Sequence, residues 1–328
     1  MAEPPPAAPP PTGRRWRLTN VLVLATLPAF APALAPFVAG WHWSLDLLAN
    51  FPVQAMGALA LAAVLLAAAR RFRVALAFGG GALLAAAAVV PDWCAGPTVT
   101  AAAPGATVRV LSLNLLRGAE ANGPAAVAAV RAHDPDVLFC SELTPAWLAA
   151  LAPALVDYPH RHTVADPGYY GTGLFARLPL RQAANVPLGV DWAPAVRAVV
   201  TTAAGDIGLL GVHTPRPGGA ERCRNRDRAL AAIAGALAGL PERRLVVGDC
   251  NATPWNHAFG AMLRAARLDA ASARAFRPTW PAQLPWPLRV PIDHVLLGGG
   301  LQLVACEVGA PFGSDHLPLA ATVRLTAP

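Results

Sequence analysis

The sequence predicts a mixed α/β sandwich, two sheets flanked by helices, preceded by three transmembrane helices. Two observations carry that expectation. The 328-residue chain is 55% hydrophobic and only 14% charged, with a mean hydropathy of +0.43, more apolar than an ordinary soluble domain. The excess lies before about residue 92, and beyond it strand-like and helix-like runs alternate to the end of the chain.

In chain order, the Pro-rich opening MAEPPPAAPPPTG belongs to a disordered leader over 1–17. A membrane anchor follows over 18–92. Apolar runs at 18–40 and 47–69 are long enough to cross a hydrocarbon core of about 30 Å, and the run at 74–91 is near the lower limit. Pro28, Pro32 and Pro36 fall in the first run, where a membrane helix tolerates them better than a soluble one. A signal peptide ending near APALA is the rival reading of that run, but it leaves the two later runs unexplained.

Arginine sets the orientation. Arg14, Arg15 and Arg17 precede the first run and Arg70, Arg71 and Arg73 lie between the second and third, whereas the loop around WHWSLD carries none. The positive-inside rule then makes the leader and the second loop cytoplasmic. Three crossings of an inner, cytoplasmic membrane place the remainder on the extracytoplasmic (periplasmic) side. Trp41, Trp43 and Trp93 fall on that same side, as interfacial or helix-end residues.

A small, Pro/Gly-containing linker over 93–106 leads into a domain over 107–328. Strands are expected at VRVLSLNLL, DVLFCSEL, GTGLFA, VRAVVTTA, DIGLLGVHT, RLVVGDCN, HVLLGG, LQLVACEV and LPLAATVRL. Helices are expected over 124–133, 145–155 and 221–240. Cys94, Cys140, Cys223, Cys250 and Cys306 include no C-x-x-C pair, which excludes a zinc ribbon or thioredoxin motif of the usual form. The domain is mildly basic and every cation is arginine, since the chain has no lysine. Guanidinium suits bidentate phosphate contacts, although codon bias explains the absence of lysine equally well.

Polar groups stand where apolar strands end: Asn114 in LSLNLL, Glu142 in LFCSEL, His213 in GVHTPRPG, and Asp249 with Asn251 in VVGDCN. Asp293 in PIDHV and the Asp315-His316 pair in GSDHLPL follow. Such groups carry a desolvation cost unless something binds them. Carboxylates and amides at strand ends suit a hard divalent cation, and histidines add phosphate contacts and acid–base capacity. Taken singly, Glu142 also reads as a helix-entry carboxylate and Asp249-x-Asn251 as a turn.

The ordered set N, E, HTPRPG, GDxN, IDHV and GSDHLPL resembles the endonuclease/exonuclease/phosphatase superfamily, which includes the pancreatic deoxyribonuclease, abasic-site endonucleases, inositol-phosphate phosphatases and sphingomyelinases. The leader looks like that of membrane-attached bacterial members. The resemblance covers 107–328 and implies a four-layer α/β/β/α sandwich. It implies a Mg²⁺-dependent phosphoesterase, with Mn²⁺ as the alternative ion. Glu142 would be the principal metal ligand, with Asn114 beside it and Asp315 completing the metal or water network. Asp249 would orient or deprotonate the attacking water, and Asn251 would hold that water or a phosphate oxygen. His213 and His316 would flank the scissile phosphate, with Asp293 fixing the tautomer of His316.

The run RPGGAERCRNRDRAL is either a solvated helix face or a grip on a polyanion or anionic headgroup. Within it, Arg222 and Arg226 share a face at i, i+4 and are the candidate substrate contacts. The loop FRPTWPAQLPWPLRVPIDHV, with Trp280 and Trp286, either walls the substrate or packs over a sheet. His294 reads as a packed strand histidine. Leu116 stands where some abasic-site endonucleases carry an acid, which leans away from that branch. The expected substrate is a phosphodiester in nucleic acid or a lipid headgroup; a phosphomonoesterase and a catalytically silent anion-binding module are the alternatives. The lipid bilayer is the other expected partner, and no protein partner can be inferred.

Overall fold

The computed structural model describes residues 13–94 and 106–325. The expected leader up to residue 12 and linker residues 95–105 lie outside the described residues. Residues 13–17 are already helical rather than leader, because α1 spans Gly13–Thr26. A 3₁₀ turn carrying Pro28 joins it to α2 (Phe30–Val38), and α3 (Trp43–Leu48) follows. Helices α4 (Pro52–Ala68) and α5 (Phe72–Cys94) pack against each other.

The three expected spans become two helices long and apolar enough to cross a membrane, Trp16–Trp41 and Phe72–Cys94. The run at 47–69 does not fold as one helix. Helix α3 stops at Leu48, and Pro52, whose missing N–H suits a first turn, starts α4 afresh. That leaves α4 with 17 residues. The third run is longer than expected because α5 continues through Pro91. Small residues let these helices approach: Ala55, Leu59, Ala62, Phe78 and Ala85 form their core, and a Cβ at Gly81 would lie 2.5 Å from the Phe30 ring. Leu24, Leu61, Val64, Leu76 and Leu83 point outward, exposed.

The second half is built on two sheets. Its elements run β1 (Thr107–Asn114), α6 (Gly123–His133), β2 (Val137–Ser141), α7 (Pro145–Leu151), β3 (His160–Val164), β4 (Thr172–Ala176) and β5 (Leu180–Pro187). They continue as β6 (Pro194–Thr202), β7 (Gly205–His213), α8 (Ala220–Ala236), β8 (Arg244–Asp249), α9 (His257–Ala266), β9 (Asp293–Gly298), β10 (Leu301–Val308) and β11 (Leu319–Leu325). The strand order is β10-β11-β1-β2-β4-β3 in one sheet and β5-β6-β7-β8-β9 in the other. Pairs β1/β2 and β7/β8 are parallel, each joined through a crossover helix.

Alternate side chains of both sheets, among them Val110, Phe139, Leu174, Val196, Leu209 and Val247, meet in one central core. The opposite faces are covered by α6 and α7 on one side and by α8 and α9 on the other. The layers are therefore helix, sheet, sheet, helix, as expected. Strands β3 (HRHTV) and β5 (LRQAANVP) escape the sequence reading because they carry few apolar residues, unlike β9 and β10, the other two edge strands, which were expected.

Candidate active site

Strand register creates the site. His213 pairs with Asp249 across β7/β8, and Asp249 with Asp293 across β8/β9, so three chemically active residues stand in one row at a sheet edge. The facing sheet ends there too, with Asn114 opposite Ser141 and Glu142 next in chain. The turn before β11 brings in Asp315 and His316.

Local backbone explains the spacing of GDxN. A Cβ at Gly248 would stand 2.0 Å from the Val212 carbonyl oxygen, and its φ is +134°, so only glycine carries the chain into Asp249. Glu142 and Asn251 themselves have positive φ, 56° and 46°, a conformation that non-glycine residues hold only where surroundings impose it. Asn251 is held by its own N–H to Asp249 Oδ1 at 2.8 Å and by Nδ2 to the Thr214 carbonyl at 2.9 Å.

His316 Nδ1 donates to Asp293 Oδ2 at 2.8 Å, and the Thr279 hydroxyl donates to the same oxygen at 2.5 Å. The far nitrogen, Nε2, is 3.7 Å from Asp249 Oδ2. His213 Nε2 approaches that oxygen from another side at 3.6 Å, and Asn114 Nδ2 donates to it at 3.1 Å. Asp249 is thus central to both histidines. Ser314 fixes the turn by donating to the Asn114 carbonyl at 2.7 Å while accepting from the His316 N–H at 3.0 Å.

Burial and charge separate the two imidazoles. Burial depresses His213, and the charge on His316 depresses it further, to about 4, so His213 is neutral at pH 7. Burial also opposes charge on His316, but the Asp293 and Asp249 carboxylates overcome it and raise its pKa to about 10. Burial lifts Asp249 to about 7 against the pull of His316. Burial pushes Asp293 upward as well, yet the His316 charge and the bonds from His316 and Thr279 hold it below the ordinary carboxylate range. The site therefore presents a cationic imidazole, a neutral one and a carboxylate poised near neutrality.

These residues face a cleft of about 690 Å³. Glu142, His213, Asp249, Asn251, Asp315 and His316 line it, and so does Arg222. Arg226 does not. It is fully buried and ion-paired with Asp46, behind the exposed face that carries Arg222. The expectation that Arg226 contacts substrate is corrected: one helical turn from Arg222, it points inward to join two parts of the chain. Asp315 lines the cleft while accepting from Trp280 Nε1 at 3.1 Å. His294 is the packed strand histidine expected, bonded to the Ala252 carbonyl at 2.8 Å.

Ligand atoms of Asp249, Asp293 and His316 lie within 4.8 Å of one another. Asp293 and His316 are already bonded to each other, which disfavours a cation between them. Oxygen donors remain on the cleft wall: Glu142, which among the described residues is anchored by the Arg117 N–H at 2.9 Å, together with Asn251 and Asp315. That donor set suits a hard divalent cation. Among the described residues no hydrogen bond joins Asn114 to Glu142; Asn114 instead supports Asp249.

Sequence reasoning missed the aromatic wall of the cleft and the wall formed by the N-terminal helices. Tyr170 lies 5.3 Å from the His213 ring and 4.7 Å from Trp192, centroid to centroid. Leu47, Asn50 and Phe51 also line the cleft. Paired tyrosines in DPGYYGTG were the only local signal. A separate hollow of about 440 Å³ beside α7 holds one cation, Arg161, which is already bonded to the Tyr158 and Leu155 carbonyls.

A helix–sheet–sheet–helix sandwich with an Asp–His pair, a second imidazole and strand-end carboxylates converging at one edge defines the phosphoesterase and nuclease fold. The chain belongs to the endonuclease/exonuclease/phosphatase family, whose model matches residues 111–316, more than half of the chain. Members of that family are hydrolases acting on phosphoesters. No curated protein matches the chain. An endonuclease/exonuclease/phosphatase from Beutenbergia cavernae aligns at 20% identity and a TM-score of 0.56, covering 67% of this chain and 72% of that one. TDP2 of D. rerio complexed with a single-strand DNA product aligns at 18% and 0.54, over 66% and 99%. The human Nocturnin catalytic domain with bound sulfate aligns at 18% and 0.54, over 67% and 95%.

Proposed function

We propose that the chain is a membrane-anchored, divalent-cation-dependent phosphoesterase that hydrolyses a phosphodiester by in-line attack of water. The observation that carries this reading is the convergence of His213, His316 and Asn114 on one buried carboxylate, Asp249, that lines the cleft. Asp249, near neutrality in its pKa, accepts the proton of the attacking water, and Asn251 holds that water in place. His316, kept cationic by Asp293, and His213 donate toward the phosphoryl oxygens on which charge builds. Glu142, with Asn114 beside it, would hold Mg²⁺ or Mn²⁺, and Asp315 would complete the metal or water network. When bound, such an ion neutralises charge on the phosphoryl group. Arg222 supplies a further cation at the rim.

The anchor reading is supported by geometry. Exposed leucines and valines ring the first helices, unlike the core helices of a soluble protein. Arg71 donates to Thr19 and Asn20, which gathers the basic ends of α1, α4 and α5 at one end of the bundle. The segment carrying α3 meets the second half of the chain at the other end. That arrangement suits three crossings, with α4 a short one met by local thinning of the bilayer, and a catalytic domain on the extracytoplasmic side of the inner membrane.

The test is hydrolysis by the full-length protein in detergent, on bis-p-nitrophenyl phosphate, plasmid DNA, RNA and phospholipids, with Mg²⁺ and with chelator. Chelator-sensitive turnover lost in His316→Ala supports the reading. Silence on every substrate, with anionic polymers still bound, would favour a binding module. A C-terminal reporter active only in the cytoplasm would overturn the orientation.

A further inference from the structure

The catalytic cleft is not walled by the outer domain alone. Leu47, Asn50 and Phe51, between the apolar helices, line it together with His213 and His316. They are held there by a built junction. The Asp46 carboxylate, 4% exposed, accepts from Arg226, from Asn256 Nδ2 at 3.1 Å and from the His257 N–H at 2.8 Å. Gln54 Nε2 donates to the Pro287 and Arg289 carbonyls at 3.0 and 2.9 Å, and Trp93 at the end of α5 stacks on Phe276 at 5.8 Å.

Two features of this wall point to a ligand. Phe51 is 40% exposed at the cleft, and the apolar helix α4 begins at the very next residue. Asn50 is only 8% exposed and donates from Nδ2 to the Leu47 carbonyl at 2.9 Å, yet its Oδ1 has no hydrogen-bond partner. A buried acceptor without a partner is costly, so a donor from a bound molecule is the natural complement.

We propose that this site takes an amphiphilic phosphoester. The phosphate lies between His213 and His316, a hydroxyl or ammonium of the polar group reaches Asn50 Oδ1, and the apolar portion lies against Leu47 and Phe51. This deepens the phosphoesterase reading above and rests on it. A lipid reaches such a cleft from the end of the chain's own apolar helices, whereas the cations a polynucleotide would use, Arg216 and Arg222, lie elsewhere on the lining and leave Leu47 and Phe51 without a role. The Asp46 junction is the positioning device that keeps that wall in register with the catalytic row.

The test uses the full-length protein in detergent and compares kcat/KM for a short-chain glycerophospholipid with that for bis-p-nitrophenyl phosphate. In Leu47→Ala/Phe51→Ala the lipid-to-soluble ratio is expected to fall about tenfold, the scale of one lost apolar contact. Asn50→Leu should raise KM for the lipid more than it lowers kcat. An unchanged ratio in both variants, or an oligonucleotide cleaved in preference to the lipid, overturns the proposal while leaving the phosphoesterase reading intact. If neither substrate is hydrolysed, the phosphoesterase reading fails, and binding of a non-hydrolysable phosphonate lipid decides the cleft. Binding weakened about tenfold in the double variant supports the wall; no binding sinks it.

Discussion

Asp46 and Arg226, 180 residues apart, form a buried ion pair that joins the N-terminal helices to helix α8 of the two-sheet half. Removing Asp46 leaves the buried Arg226 with Asp227 as its remaining carboxylate and takes an acceptor away from Asn256 and the His257 N–H. Asp46→Ala is therefore expected to cost about 3 kcal/mol, and Arg222→Ala, at an exposed position one turn away, less than about 0.5 kcal/mol. Chemical denaturation of the full-length protein in detergent distinguishes them. A double-mutant cycle between Asp46 and Arg226 should show coupling of at least about 1 kcal/mol.

The His316–Asp293 bond makes a pH prediction. His316 titrates near 10 in the folded chain against about 6.5 when unperturbed. Its stabilisation is therefore fully present below pH 6.5 and is lost as pH rises through about 10. Asp293→Asn removes the nearest carboxylate, so the imidazole should titrate much closer to its ordinary value and the alkaline loss of stability should begin at lower pH. NMR titration of the ring checks this, and kcat should fall by about 10²-fold or more.

Asp249 carries the acid side of the profile. Its pKa of about 7, raised by burial, predicts that kcat/KM climbs as pH passes neutrality and the carboxylate becomes able to accept a proton. Asp249→Asn should remove that limb along with about 10²- to 10⁴-fold of the rate. A variant that kept both would show that another group is the base.

The proposed metal site centres on Glu142. With its carboxylate bonded, among the described residues, to the Arg117 N–H, Glu142→Gln should weaken Mn²⁺ binding, read by electron paramagnetic resonance, by about tenfold or more. Thorough chelation should abolish hydrolysis, and added Mg²⁺ should restore it. Full activity in chelator would refute the ligand assignment.

Much of the catalytic row was legible in the chain because each member interrupts an apolar strand. Asn114, Asp249 and Asp293 break runs of Val and Leu, and Gly248 announces the turn that only glycine permits. Apolar runs likewise predicted nine strands, the edge strands β9 and β10 among them. They failed at β3 and β5, whose sequences HRHTV and LRQAANVP carry few apolar residues.

The sequence by itself marked Asn114, Glu142, His213, Asp249, Asp293 and His316 as polar groups at the ends of apolar strands, and residues 18–92 as mostly apolar helix, since both follow from local composition. Only the tertiary structure decided that His316, not His213, is the charged imidazole, because that depends on which carboxylates lie beside each ring. It also decided that Arg226 belongs to a junction rather than to the substrate: helical spacing gave it the same face as Arg222, but the partner it meets is brought from 180 residues away by folding.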